Sequence, residues 1–359
     1  MKLRLHPFNL RIKERFTIAH TSRDSQEALV VELQDTDGSD SSISGLGETT
    51  ANPYYHVDLP GIQRELEDLR QVIESYPISN TQVEEGAEGS PEYFWQTMHP
   101  HLKSSPFTLC ALDIAAHDLY GKKVGQPLYQ LWGLDPEEAP VSNYTIGIDS
   151  IETMARKLDA VRWPIYKIKL GTSEDLAIIR ELREHTDAVF RVDANCAWGV
   201  EETIKNAQEL KKLGVEFIEQ PLAADNLEGM KEVMQHSLLP LMADESCITE
   251  EDVARCDGYF HGVNIKLTKC GGITPARRMI AEARRRGLKV MVGCMTESTV
   301  GISAIAHLAP LLDYVDMDGA MLLAEDVATG VTVTESGVAF PSVNGTGAQL
   351  LPDVTHWEV

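Results

Sequence analysis

The order of apolar and charged runs predicts an α/β protein, a parallel β/α barrel preceded by a small α+β domain. Up to about residue 50 strand-like runs come first and helical patterns follow, as in segregated α+β structure. After Gly133 the texture changes. Eight short apolar runs now alternate with charged helical segments, as parallel strands joined by helices do. A third observation, the residues on which those runs end, says where the chemistry lies.

In the first region residues 2–12, 28–34 and 42–49 read as strands. A turn is expected at 35–38 (Asp-Thr-Asp-Gly), and a polar loop at 20–24 separates the first two strands. Residues 59–74 read as one amphipathic helix and 107–123 as a more apolar one. The polar stretch 79–91 reads as a surface loop. Barrel strands are expected at 141–148, 165–170, 189–194, 216–222, 240–245, 262–267, 289–293 and 314–318, with helices at 173–185, 200–213 and 274–286 between some of them. The alternative, a doubly wound open sheet, usually places a Gly-rich phosphate loop after its first strand. None is present, and Gly271-Gly272 lies far from such a context.

Composition narrows the function. Lys and Arg total 32 against 55 Asp and Glu, a net charge of -23, which argues against nucleic-acid or acidic-membrane partners. The six cysteines are scattered without a C-x-x-C, the N-terminus has no apolar leader, and no long uncharged apolar stretch occurs. A cytoplasmic protein is expected.

In a barrel the chemistry gathers at the C-terminal ends of the strands. Lys167 and Lys169 alternate with Ile168 there, so one side of a strand carries both ammonium groups. Like charges that close lower each other's pKa, which would suit a lysine that takes a proton from carbon. Asp193, Glu219 and Asp244 then end three successive strands. Converging carboxylates repel unless a cation joins them, and an all-oxygen set without His or Cys favours Mg²⁺ over zinc. Lys266 ends the sixth strand, on the wall opposite the second. A lysine on each wall would flank a substrate held at the metal, with proton removal on one face of a carbon and return on the other.

Together these residues resemble the enolase superfamily in its muconate-lactonising subgroup. The matching pieces are Lys167-Ile-Lys169, Val192-Asp193-Ala-Asn195, Ile218-Glu219-Gln-Pro221, Ala243-Asp244-Glu-Ser246, and Asn264-Ile-Lys266 before Gly271-Gly272. The helix around Ala111–Pro127 is similar to the one that joins that family's cap to its barrel. One departure is visible: the interval from Asp244 to Lys266 is slightly short, so a trimmed helix or loop is expected there. Asp316-Met-Asp318 and Met291–Ser298 resemble segments of dipeptide epimerases, where an Asp-x-Asp pair holds the substrate's α-ammonium group.

The resemblance implies a modified TIM-type (β/α)7β barrel over residues 127–329. A capping domain would span 1–126 and be completed by 330–359. It implies Mg²⁺ on Asp193, Glu219 and Asp244, and α-proton exchange by Lys169 and Lys266. Lys167 would hold down the pKa of Lys169 and help carry the enolate charge, and Asp316 with Asp318 would hold the amino end of a dipeptide. Arg23, in the polar loop, could clamp a glutamate side chain, and Tyr54 and Tyr55 belong to a second loop over the site. The expected substrate is L-Ala-L-Glu or L-Ala-D-Glu from cell-wall peptide recycling, and a homo-oligomer is expected. A cycloisomerase or o-succinylbenzoate synthase would use the same metal and lysines but needs no Asp pair for a cation. A Schiff-base aldolase needs no metal carboxylates, and a non-catalytic binding barrel needs no acid/base set.

Overall fold

Alternating side chains place the first fifty residues in one antiparallel sheet, β1 (Lys2–Ile18), β2 (Thr21–Gln34) and β3 (Ser44–Thr50), in that order. The computed structural model describes residues 1–36 and 43–352. Part of the expected turn at 35–38, the first residue of the expected third strand and the tail 353–359 lie outside the described residues. The expected polar loop at 20–24 is a correction. His20 is in the hairpin turn and residues 21–24 begin β2; β1 and β2 pair as far as Ile18 with Thr21, with one register shift between Arg11 and Phe16. The distal hairpin faces a cavity instead of an apolar core, so no hydrophobic alternation marks it as strand.

The expected helix at 59–74 is two helices, α1 (Leu59–Asp68) and α2 (Arg70–Ser75), that meet at Leu69. The Asp58 side chain caps the first by accepting from Gly61 N at 2.6 Å. A further helix not read from sequence, α3 (Pro91–Leu102), carries Pro100 near its end, which breaks the helical signature. Next, α4 (Pro106–Val124) is buried along nearly its whole length. It lies directly on β3 because Gly45 and Gly47 have no Cβ. A methyl group on either would overlap the carbonyl oxygen of Ala115 or Ala111.

Eight parallel strands in sequence order form the second unit: β4 (Tyr144–Ile146), β5 (Ile165–Lys169), β6 (Val189–Asp193), β7 (Val215–Glu219), β8 (Leu241–Ala243), β9 (Gly262–Lys266), β10 (Lys289–Gly293) and β11 (Tyr314–Asp316). Helices connect each strand to the next, and the first and last strands meet where Asn143 N donates to Val315 O at 3.4 Å. This is a nearly closed (β/α)7β barrel under an antiparallel cap. Period-2 geometry sorts its side chains: Ile168, Val192, Ile218, Ala243, Ile265 and Val292 are buried in the apolar layer beneath the helices. The intervening residues point into the barrel.

After the barrel, β12 (Ala328–Thr329) pairs with β15 (Gln349–Leu350), around the hairpin of β13 (Thr332–Thr334) and β14 (Gly337–Ala339). Ala328 and Ala348 share a cluster with Phe8, Leu10, Val30 and Leu46 of the cap sheet. Among the described residues no helix is long and apolar enough to cross a membrane.

Candidate active site

Strand register builds the site. Lys169 pairs with Asp193, and Asp193 with Glu219, so three charged residues share one level at the strand ends. The backbone then turns sharply: Asn195, Cys196 and Gln220 have positive φ of 42°, 66° and 35°. Gln220 uses that turn to brace the next strand end, its Oε1 accepting from Asp244 N at 3.0 Å and Ser246 N at 3.1 Å.

The three carboxylates converge. Oxygens of Asp193, Glu219 and Asp244 all lie within 4.8 Å of one another, and all three side chains are buried. Around them stand four ammonium groups. Lys169 Nζ is 2.6 Å from Asp193, and Lys266 Nζ is 2.9 Å from Asp244. Lys167 Nζ lies 3.1, 2.8 and 2.8 Å from Asp193, Glu219 and Asp316. Fully buried Lys269 donates to Asp244 Oδ1 at 2.6 Å, Asp244 O at 2.5 Å and Cys247 O at 3.0 Å. Sequence reading passed over Lys269, because a lysine beside Gly-Gly looks no different from an exposed one.

The electrostatics correct one expectation. Burial alone would lower the Lys167 pKa, but Asp316, Glu219 and Asp193 outweigh it and hold the ammonium well above its ordinary value. For Lys167, then, the neighbouring carboxylates win over mutual repulsion of the lysine pair. Asp244 is held well below the carboxylate range against burial, chiefly by Lys266 and Lys269. Burial and Asp193 push Glu219 the other way, upward. Its Oε1 accepts from Asn264 at 2.8 Å, but its Oε2, although beside Lys167, receives no well-directed hydrogen bond. Three buried carboxylates converging within 4.8 Å, one oxygen of them without a hydrogen-bond donor and every ligand atom an oxygen, fit a hard divalent cation.

A cavity of about 620 Å³ between barrel and cap is lined among others by Lys167, Lys169, Lys266, Asp316 and Asp318. The last strand ends at Asp316, so Asp318 does not extend the strand alternation. It sits at the start of a short 3₁₀ turn yet still lines the cavity. Thr145 holds it, with N donating at 2.5 Å and Oγ1 at 3.2 Å, while Asn143 donates to Asp316 at 2.7 Å. Burial and Asp316 push the Asp318 carboxyl upward. Neither Asn143 nor Thr145 was singled out from sequence, since both lie on an expected strand without charge.

The cap supplies the roof. Arg23, Tyr54 and Tyr55 all line the cavity, and His20 at the hairpin turn is hydrogen-bonded to Asn195 O at 2.7 Å. The short Asp244–Lys266 interval has a simple structural counterpart: its helix, Glu250–Cys256, has only 7 residues. Lys266 nonetheless reaches Asp244.

A barrel with acid/base and carboxylate groups at its strand ends, closed by an α+β cap, defines an enolase-type enzyme architecture. Residues 3–133 match the N-terminal domain of the mandelate racemase / muconate lactonizing enzyme family, and 149–354 match the enolase C-terminal domain-like model. The chain belongs to this family. It is 58% identical to an L-Ala-D/L-amino acid epimerase of Flavobacterium johnsoniae, over 98% of this chain and 100% of that one. The structure is similar to a substrate-liganded L-Ala-D/L-Glu epimerase from Bacillus subtilis, with TM-score 0.87 and 26% identity over 97% of this chain and 99% of that one. It is also similar to a dipeptide epimerase from Enterococcus faecalis complexed with Mg and L-Leu-L-Tyr, with TM-score 0.85 and 30% identity over 97% and 98% of the two chains.

Proposed function

We propose that the protein is a Mg²⁺-dependent dipeptide epimerase, an isomerase that moves the α-proton of the C-terminal residue from one face to the other. The observation that carries this is the placement of Lys169 and Lys266 on β5 and β9, either side of the Asp193–Glu219–Asp244 cluster and both open to the cavity. The similarity to named dipeptide epimerases, one with Mg and a dipeptide bound, supports it.

Asp193, Glu219 and Asp244 would hold the Mg²⁺. Bound there, the ion supplies the positive charge that stabilises a carboxylate as negative charge develops on it. Lys169 removes the α-proton on one face and Lys266 delivers one on the other, the roles reversing with direction. Lys167, kept protonated by its carboxylate partners, lends a fixed positive charge beside Lys169. Asp318 and Asp316 receive the substrate's α-ammonium group, which requires a free N-terminus. Arg23 pairs with an acidic side chain on the epimerised residue, so L-Ala-L-Glu and L-Ala-D-Glu are the preferred substrates. A cytoplasmic role in recycling cell-wall peptide and a homo-oligomeric state belong to the same reading.

The test is incubation with Mg²⁺ and a dipeptide library in D₂O, read by mass spectrometry. A one-dalton gain in Ala-Glu dipeptides is expected, lost with EDTA and in Lys169→Ala and Lys266→Ala. Exchange confined to hydrophobic or cationic dipeptides would remove the role of Arg23 and keep the mechanism. Absence of exchange in every dipeptide would sink the epimerase reading in favour of a cycloisomerase or synthase.

A further inference from the structure

Gln26 is buried in the cap, 4% exposed, and its amide is fully committed. Its Nε2 donates to Glu27 O at 2.9 Å and to Ala51 O at 2.8 Å. Two backbone carbonyls leave only one orientation for the group, because reversing it would set oxygen against oxygen. Oε1 is therefore aimed into the cavity, where it accepts from Arg23 Nη1. Arg23 and Gln26 both lie on β2, and Arg23 stands opposite Phe16 on β1.

The guanidinium is unusual in what it lacks. Among the described residues Arg23 makes no ion pair, although Glu27 and Glu245 also line the cavity. A half-buried cation anchored only by a neutral amide keeps its full charge for a ligand. Glutamate at position 26 would cancel that charge and face the Ala51 carbonyl with an acceptor. Glutamine is the residue type that orients the guanidinium without neutralising it.

We propose that Gln26 is a positioning residue for side-chain specificity, fixing Arg23 so that its free N–H groups meet a carboxylate on the epimerised residue. The inference rests on the reading of Arg23 as an acidic clamp. It adds a second residue to that clamp, one that never touches substrate.

The measurement is the ratio of kcat/KM for L-Ala-L-Glu over L-Ala-L-Met in wild type, Arg23→Met, Gln26→Met, the double variant and Gln26→Glu. Each ratio is internal to one preparation, so a smaller folded fraction cancels. Arg23→Met and Gln26→Met are each expected to lower the ratio by about 10- to 100-fold, the value of a hydrogen bond to charge, through KM and not kcat. The double variant should match Arg23→Met alone. If Gln26→Met folds poorly, the near-isosteric Gln26→Glu carries the same test, since a neutralised Arg23 also lowers the ratio. A drop in Arg23→Met with none in either Gln26 variant overturns the proposal and leaves the Arg23 reading standing. Equal losses on both dipeptides in the Gln26 variants, or additive effects in the double variant, also overturn it. An unchanged ratio in Arg23→Met removes the clamp itself, and the role of Gln26 with it.

Discussion

Lys269 shows how a single buried side chain can organise a site. It is completely buried, and its three hydrogen bonds tie Asp244 to the loop that follows. Replacing it with methionine leaves the Cys247 carbonyl without its donor, leaves the Asp244 carbonyl only the one from Cys247 N at 3.1 Å, and removes one of two cations beside the Asp244 carboxylate. We expect Lys269→Met to lose about 3 kcal/mol of stability, seen as a lower urea midpoint at unchanged slope. Asp318 differs, because its carboxyl is anchored by Thr145 and opens on the cavity. Asp318→Asn should raise KM for a dipeptide by about 10-fold or more. Efficient turnover of an N-acetylated dipeptide would show that these carboxylates do not read the amino end. The residue types of both sites were legible in the chain. Lys269 was not, because its role depends on how the short helix after β9, Leu267–Cys270, turns its side chain inward.

At the scale of elements, the contact of β3 with α4 sets how the cap is assembled. Gly45 and Gly47 lie on alternate positions of β3 facing α4, and any side chain there collides with helix backbone, not with a movable side chain. Gly47→Ala should cost about 3 kcal/mol or more, at the upper end of overpacking penalties, measured by denaturant unfolding. A stability within about 0.5 kcal/mol of wild type would mean that the helix can move away freely. Most elements could be read in advance, since buried parallel strands leave apolar runs and surface helices leave a 3.6-residue period. The distal hairpin could not. Its residues face a polar cavity on one side, so the stretch 20–24 reads as loop although the backbone is paired from Thr21.

Across the whole molecule, cap and barrel meet at two buried carboxyls. Glu48 on β3 accepts from Ser298 N at 2.9 Å and Gly301 N at 2.9 Å, at the start of the Thr299–Ala306 helix. Burial and Glu297 push Glu48 up to about 8, and burial pushes Glu297 up to about 7. A carboxyl raised in the folded state contributes stability that is complete below its unfolded pKa and fades as pH rises through the folded one. His117, kept protonated up to about 10 by Asp113 and Glu92 despite burial, acts in the same direction. The melting temperature should therefore fall between about pH 5 and pH 8.5, and Glu297→Gln should flatten that slope by removing one of the facing carboxyls. A profile that rises over this range would contradict the assignment. Mg²⁺ at about 100 times its dissociation constant adds about 2.7 kcal/mol to a single-site protein. It should raise the melting temperature by about 3–4 °C, and Asp193→Asn should abolish that shift along with isotope exchange.

By itself the sequence determined the barrel, the cap and the residue types at the strand ends, because periodicity and strand-end position are local properties written along the chain. The tertiary structure decided which charges meet. Four lysines and three carboxylates gather in one buried space only after β5 to β9 adopt their register. The side chains of Lys269, Thr145 and Asn143 acquire these partners only when distant segments are brought together, as Gln26 does its bond to Ala51. The energy of such a cluster depends on burial and on distances between residues far apart in sequence, and no local pattern encodes either.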